Sequence, residues 1–218
     1  MPAESERFRS LRRFVRLVVL LDAAEAAGLV PLDILRLHVF AYLPNVLAPV
    51  WDLPALDGAV LKRRGAPFYP TLQHDLDRLV GLGMATIVGI GHAQDDAGHW
   101  RLEGSYRLNC GMAEDVLALL ETYDEERRVA AFIHELAYAL SALSDQDLDR
   151  AVHEDATYAD PVVGVGNVID FAEWRELNYS ANAARYFDRL IPGGADSTPG
   201  EQIHLYVRHL HRRLYGGR

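Results

Sequence analysis

The sequence predicts a mainly α, α+β protein, and three observations carry that expectation. Apolar residues recur every three or four positions over long stretches on both sides of the chain's centre, which is the helical period. One region breaks this pattern: residues 84–90 and 100–108 are two runs of β-formers around a turn containing Asp95, Asp96 and Gly98. The turn is too short to hold the crossover helix of a parallel pair, so the two runs read as an antiparallel hairpin. A short helix stopped by Gly81 and Gly83 directly precedes them. Helix, glycine stop and hairpin are the pattern of a winged-helix module with a β-hairpin wing, followed by a helical C-terminal region.

The elements are read in order. Residues 5–27 form an amphipathic helix with Phe8, Leu11, Val15, Val18 and Leu21 on one face, ended by Gly28. A second helix starts near Pro31, a residue tolerated in a first turn, and Pro44 and Pro49 are expected to kink or end it. Residues 51–58 are a turn-rich connector. The helix from Thr71 buries Leu72, Leu76, Leu79 and Val80, and the return run of the hairpin alternates Trp100, Leu102, Tyr106 and Leu108. Residues 112–143 read as one long helix or two abutting ones, with a charged middle. Ser144 and Asp147 mark a helix start, residues 156–170 a loop, and residues 171–190 further helix interrupted near 178–180. After a glycine-rich break, Thr198, Pro199 and Glu201 form a capping box with proline at the first helical position. A boundary near 109–113 divides the chain into 1–110 and 111–218, although the long helix after it offers a way to bind both halves into one body.

Composition narrows function. With 218 residues, half of them hydrophobic, the chain can bury a sizeable core. The formal net charge is −9 and the isoelectric point about 5.4, against the basic footprint of an autonomous DNA binder. Cys110 is the only cysteine, which removes intramolecular disulfides and cysteine-rich zinc sites and fits a reducing cytoplasm. The apolar run 15–21 is short, is broken by Arg16 and is followed by Asp22 and Glu25, so neither a membrane span nor a signal peptide is expected. Lys62 is the only lysine, and no glycine-rich run precedes it, so no P-loop is present.

The motifs yield no catalytic, cofactor or metal residue. His134-Glu135 lacks the second histidine of a zinc-protease helix, because Tyr138 stands in its place. Gly164-Val165-Gly166 lacks a preceding strand and a third glycine. His204, His209 and His211 are spaced unlike metal ligands and read, with Arg208, Arg212 and Arg213, as a solvated basic face. Asp155, Asp160, Asp170 and Glu173 suggest a carboxylate site, and equally suggest caps and turns. The sharpest basic cluster is Lys62, Arg63 and Arg64, a candidate contact for a DNA backbone. The following helix displays Gln73, His74, Asp75, Asp77 and Arg78. Its two aspartates would repel phosphates, so this helix reads as a partner-docking surface.

Several stretches resemble the middle component of bacterial three-component ABC-ATPase systems, including the Lamassu type. They are residues 21–25 with Ala27-Gly28-Leu29, Arg36-Leu37-His38 through Ala41-Tyr42-Leu43, and Ala48-Pro49-Val50-Trp51. Phe68-Tyr69-Pro70 and residues 76–80 follow, then Tyr158-Ala159-Asp160, residues 167–171, Trp174, Asn178-Tyr179-Ser180 and His204-Leu205-Tyr206. The resemblance implies a non-enzymatic subunit of an anti-phage or anti-plasmid defence complex. Its partners would be an SMC- or Rad50-like coiled-coil ATPase and an effector such as a nuclease, with DNA contacted through the complex and not sequence-specifically. It implies no catalytic residue and no cofactor. Two other classes compete: a winged-helix transcriptional regulator, which needs a dimer with a basic recognition surface, and a metal-dependent nuclease using Asp155, Asp160 and Asp170.

Overall fold

The computed structural model describes residues 2–56, 58–63, 65–94, 98, 100–171, 178–187 and 197–216. Helix α1 (Pro2–Ala26) runs into Gly28, whose φ of 71° gives the left-handed turn a glycine accepts without strain. Strand β1 (Leu32–Asp33) comes next, and α2 (Ile34–Leu47) begins three residues later than Pro31 suggested. Asp33 caps it by accepting from the Arg36 N–H at 2.9 Å. Pro44 does not end α2. It lies in the last turn, where it forfeits one backbone hydrogen bond, and a helix buried on nearly every side holds without it. A 3-10 turn (Ala48–Trp51) continues the chain.

Strands β2 (Ala59–Lys62) and β3 (Pro67–Phe68) precede α3 (Leu72–Gly81), β4 (Ala85–Gln94) and β5 (Trp100–Leu108). The region read as one long helix or two is two, α4 (Cys110–Glu121) and α5 (Asp124–Leu140). Three acids in the first turn of α5 suit its N-terminal dipole. Helix α6 (Asp145–Glu154) carries the expected Ser144 cap, β6 (Val168–Asp170) lies in the stretch read as loop, and α7 (Tyr179–Tyr186) is capped by Asn178. Helix α8 (Pro199–Gly216) opens on the capping box: Thr198 Oγ1 accepts from the Glu201 N–H, and Glu201 Oε2 accepts from the Thr198 N–H at 2.7 Å.

The structure is thus mostly helical with two small antiparallel sheets. One has the order β1-β5-β4, the other β3-β2-β6. In the second, Val60 faces Ile169 and Leu61 faces Val168. Buried residues from both sides of position 110, among them Leu21, Phe40, Tyr42, Leu76, Phe132, Leu136 and Tyr206, belong to one apolar cluster. Helix α1 packs on α5 and α2 on α6, so the line drawn between 1–110 and 111–218 is crossed by helix packing and by the β2–β6 pairing. The stretch Ile34–Trp51 is long and apolar enough to match a membrane span, with mean hydropathy 1.2 over 18 residues, but 67% of it is buried inside the protein as a core helix.

Candidate functional site

The hairpin β4–β5 pairs continuously from Ala85 opposite Leu108 to Gln94 opposite Trp100, with a register shift between Ile87 and Gly89. Ten residues of strand extend ~33 Å. Only its base is packed: Ala85, Tyr106 and Leu108 are buried. Further out, Ile87, Val88, Ile90 and Trp100 are exposed, Ile90 at 67% and Trp100 at 69%. Val88 is the extra residue at the register shift, and Ile87, Val88 and Ile90 together leave the outer half of β4 largely in solvent. Of the alternating residues of the return run, Tyr106 and Leu108 are buried and Trp100 is exposed. Asp95 and Asp96 at the turn lie outside the described residues.

Helix α3 buries Leu72, Leu76 and Leu79 as its period requires. Asp75 is buried with them, at 2% exposure, and is not on the outer face. Its carboxylate faces α1, 3.3 Å from Arg13 Nε, and lies 3.6 Å from Arg78 Nη1 one turn along. The Arg78 guanidinium also covers the Phe14 ring, 5.0 Å from its centroid. Gln73, half-buried, donates to Asp77 at 2.7 Å. The solvent-facing side chains are then His74, Asp77 and Arg78. Asp77 and Arg78 offset one another, so the outer face is near neutral rather than doubly acidic.

The basic cluster divides. Lys62 is buried at 9% exposure, and its ammonium donates to the Asp160 carbonyl at 2.9 Å above the Tyr158 ring. Burial pulls its pKa down, opposed by the Asp160 charge. It is therefore committed within the protein. Arg63 is exposed, with its guanidinium 3.5 Å from the Phe68 ring centroid. Arg64 lies outside the described residues. Beneath Arg63, His38 is buried and its Nδ1 accepts from the Tyr69 N–H at 3.2 Å. Burial, with the Arg63 charge, pushes the His38 pKa down to about 4.

On α8, Arg208 and Arg212 are exposed, and Arg213 pairs with Glu154 at 3.0 Å. His204 meets Glu135, and His211 lies 3.8 Å from Asp147, so this face is partly neutralised by acids of neighbouring helices. His134 pairs with Asp22 across α1 and α5.

The acidic group does not gather. Asp155 is fully buried and is held by the hydroxyls of Tyr42 and Tyr206. Asp160 accepts from the Val162 N–H in a turn, Asp170 sits on β6, and Glu173 and Trp174 lie outside the described residues. Among the described residues, no three His, Cys, Asp or Glu side chains come together as a cation site. Sequence reasoning missed the Asp155 knot because its members, Tyr42, Asp155, Thr157, Ser180 and Tyr206, lie far apart in the chain.

The comparisons with known proteins come out empty. No family model, curated protein or solved structure matches this chain.

Proposed function

We propose that the chain is a non-enzymatic assembly subunit of a cytoplasmic complex built on an SMC- or Rad50-like coiled-coil ATPase. It docks on the ATPase through the outer half of the β4–β5 hairpin and the exposed residues of α3. There it restrains an effector such as a nuclease, and DNA is touched only within the complex. The observation that carries this reading is the hairpin, which holds Ile87, Val88, Ile90 and Trp100 in solvent on an acidic chain. Such apolar groups suit a protein surface better than phosphates. The order α1-β1-α2-α3-β4-β5, interrupted between α2 and α3 by β2 and β3 of the second sheet, and the placing of β1 against β5 favour reading this half as an elaborated winged helix. The sequence resemblance supplies the partner class.

Co-expression with a coiled-coil ATPase from the same genomic neighbourhood tests this. The expected result is one co-eluting complex, lost in Ile87→Asp/Ile90→Asp while the variant alone keeps its fold. A wild-type protein that ignores the ATPase and binds duplex DNA with submicromolar affinity at physiological salt would overturn the proposal in favour of a winged-helix regulator. A mobility-shift assay on the gene's own upstream region reads out that alternative.

A further inference from the structure

Arg16 is the one arginine that is buried among the described residues, at 7% exposure. It forms an ion pair with Glu126 through Nη1, yet neither Nη1 nor Nε meets a hydrogen-bond acceptor in good geometry among the described residues. Burial works against its charge and Glu126 supports it. A buried guanidinium N–H without an acceptor is costly and calls for an explanation such as a bound anion or water.

Arg16 also lines a groove of about 220 Å³ between α1, the connector after the 3-10 turn, and α5. Arg12 and Arg128 line the same groove, with Leu53 on its wall and Asp52 and Glu125 around it. Arg12 is exposed, and its guanidinium lies over Phe8, 5.6 Å from the ring centroid. Arg128 spends one N–H on the Trp51 carbonyl at 3.3 Å, which leaves most of its fork open. Of the two acids, Asp52 is drawn away by Arg185 at 3.0 Å, and Glu125 is exposed. The Trp51 indole N–H, adjacent in the chain to Asp52, is likewise buried without a partner among the described residues.

We propose that this groove binds a small phosphate-bearing ligand, whose phosphate is held by Arg12, Arg16 and Arg128. Planar guanidinium forks match phosphate oxygens two at a time, and Arg12 and Arg128, both exposed, bring theirs to the groove beside the buried charge of Arg16. The volume is below the usual range for drug-sized ligands and suits a phosphate or a short phosphomonoester. Asp52 and Glu125 offer acceptors to the hydroxyls of a small polyol. The site is separate from the hairpin and α3, so it stands or falls independently of the assembly role.

Calorimetric titration of the full chain with inorganic phosphate and with glycerol 2-phosphate, at constant ionic strength held with sodium chloride, tests it. The expected result is saturable 1:1 binding with a Kd of about 1 mM or tighter, and tighter binding of the ester identifies an organic ligand over free phosphate. Arg12→Gln/Arg128→Gln should weaken binding at least tenfold, while Arg212→Gln/Arg213→Gln on α8 leaves it unchanged. Glu126→Gln, which removes the competing carboxylate, should tighten binding and give a larger phosphate-induced rise in Tm than wild type shows. Absence of saturable binding by either probe, or equal binding by Arg12→Gln/Arg128→Gln and wild type, overturns the proposal.

Discussion

The Tyr42 hydroxyl donates to Asp155 at 2.6 Å inside the protein, and the carboxylate's other oxygen accepts from Tyr206 at 2.8 Å. The Thr157 and Tyr158 N–H groups complete the shell at 3.1 and 2.9 Å. One buried charge thus ties α2, the end of α6 and α8 together, and every donor around it is spoken for. Burial and the Asp155 charge push both tyrosine pKa values well up, so the hydroxyls stay protonated as donors in alkali. Removing the carboxylate takes the acceptor from the Tyr42 and Tyr206 hydroxyls and the Tyr158 N–H, while the Thr157 N–H keeps Ser180 Oγ at 3.0 Å. Asp155→Ala is expected to cost about 3–5 kcal/mol, and Tyr42→Phe about 1.5–3 kcal/mol, with strong non-additivity between Tyr42→Phe and Tyr206→Phe. Urea unfolding measures all three, and a loss below ~1 kcal/mol for Asp155→Ala would remove the knot as a source of stability.

His38 makes acid stability a test of the basic loop's packing. Its folded pKa of about 4 lies below the ordinary histidine value of about 6.5. The unfolded chain therefore takes up the proton first as pH falls. The stability that neutral His38 contributes is complete above about pH 6.5 and drains away between pH 6.5 and 4, by roughly 3 kcal/mol at most. His38→Gln should flatten that part of the stability–pH curve relative to wild type. Parallel curves for the two proteins would contradict the shift.

Lys62 and Arg63 are neighbours with opposite expected phenotypes. Lys62→Met keeps the buried stem and loses the bond to the Asp160 carbonyl, for a cost of about 1–3 kcal/mol and no direct effect on DNA retention. Arg63→Gln should change stability by less than ~1 kcal/mol. If the loop contacts a DNA backbone within the complex, Arg63→Gln lowers retention of DNA by the assembled complex and reduces its salt dependence. Thermal melts and a filter-binding salt series separate the two.

The hairpin should tolerate charge when alone. Ile87, Ile90 and Trp100 are exposed, so Ile90→Asp is expected to shift the free protein's stability by less than ~0.5 kcal/mol and to improve its solubility. A loss of several kcal/mol on thermal unfolding would show that the outer hairpin is packed rather than free.

The Thr198–Glu201 capping box gives a calibrating case. Thr198→Ala removes one of two reciprocal bonds at the start of α8 and is expected to cost about 0.5–2 kcal/mol. A neutral substitution would mean that α8 is held by its buried face alone.

Elements with long periodic or capped sequences were legible in advance. The faces of α3 and α5, the Ser144 cap, the box at Thr198 and the two hairpin strands follow from spacing and local chemistry, whereas the face read for α1 holds only in its second half: Val18 and Leu21 are buried, and Phe8 and Leu11 are exposed. What escaped depends on partners distant in the chain. Strands β2, β3 and β6 are two to four residues long, too short for a period to register, and exist because β2 lies between β3 and β6. Asp75 read as exposed because helices commonly display acids, and Arg13 draws it inward from another helix. Lys62 read as a free cation for the same reason, since Asp160 lies almost a hundred residues away in the chain. Among the candidate site residues, Arg63, His74, Asp77 and Arg78 keep solvent-facing side chains, and Lys62 and Asp75 belong to the interior.

The pairing of β2 with β6 also bears on synthesis. Val60 cannot meet Ile169 until more than a hundred further residues have been made. At ordinary translation rates of ~5–20 residues per second, the edge of β2 waits for several seconds or longer without its partner. During that interval Ala59–Lys62 has β3 on one side and an unpaired edge on the other, open to proteases and to mispairing with other nascent copies. Ribosome-bound chains arrested shortly after residue 110 should be cleaved readily around 59–68, and full-length chains should not. Equal protection in the two would mean that the first 110 residues close over β2 before β6 arrives.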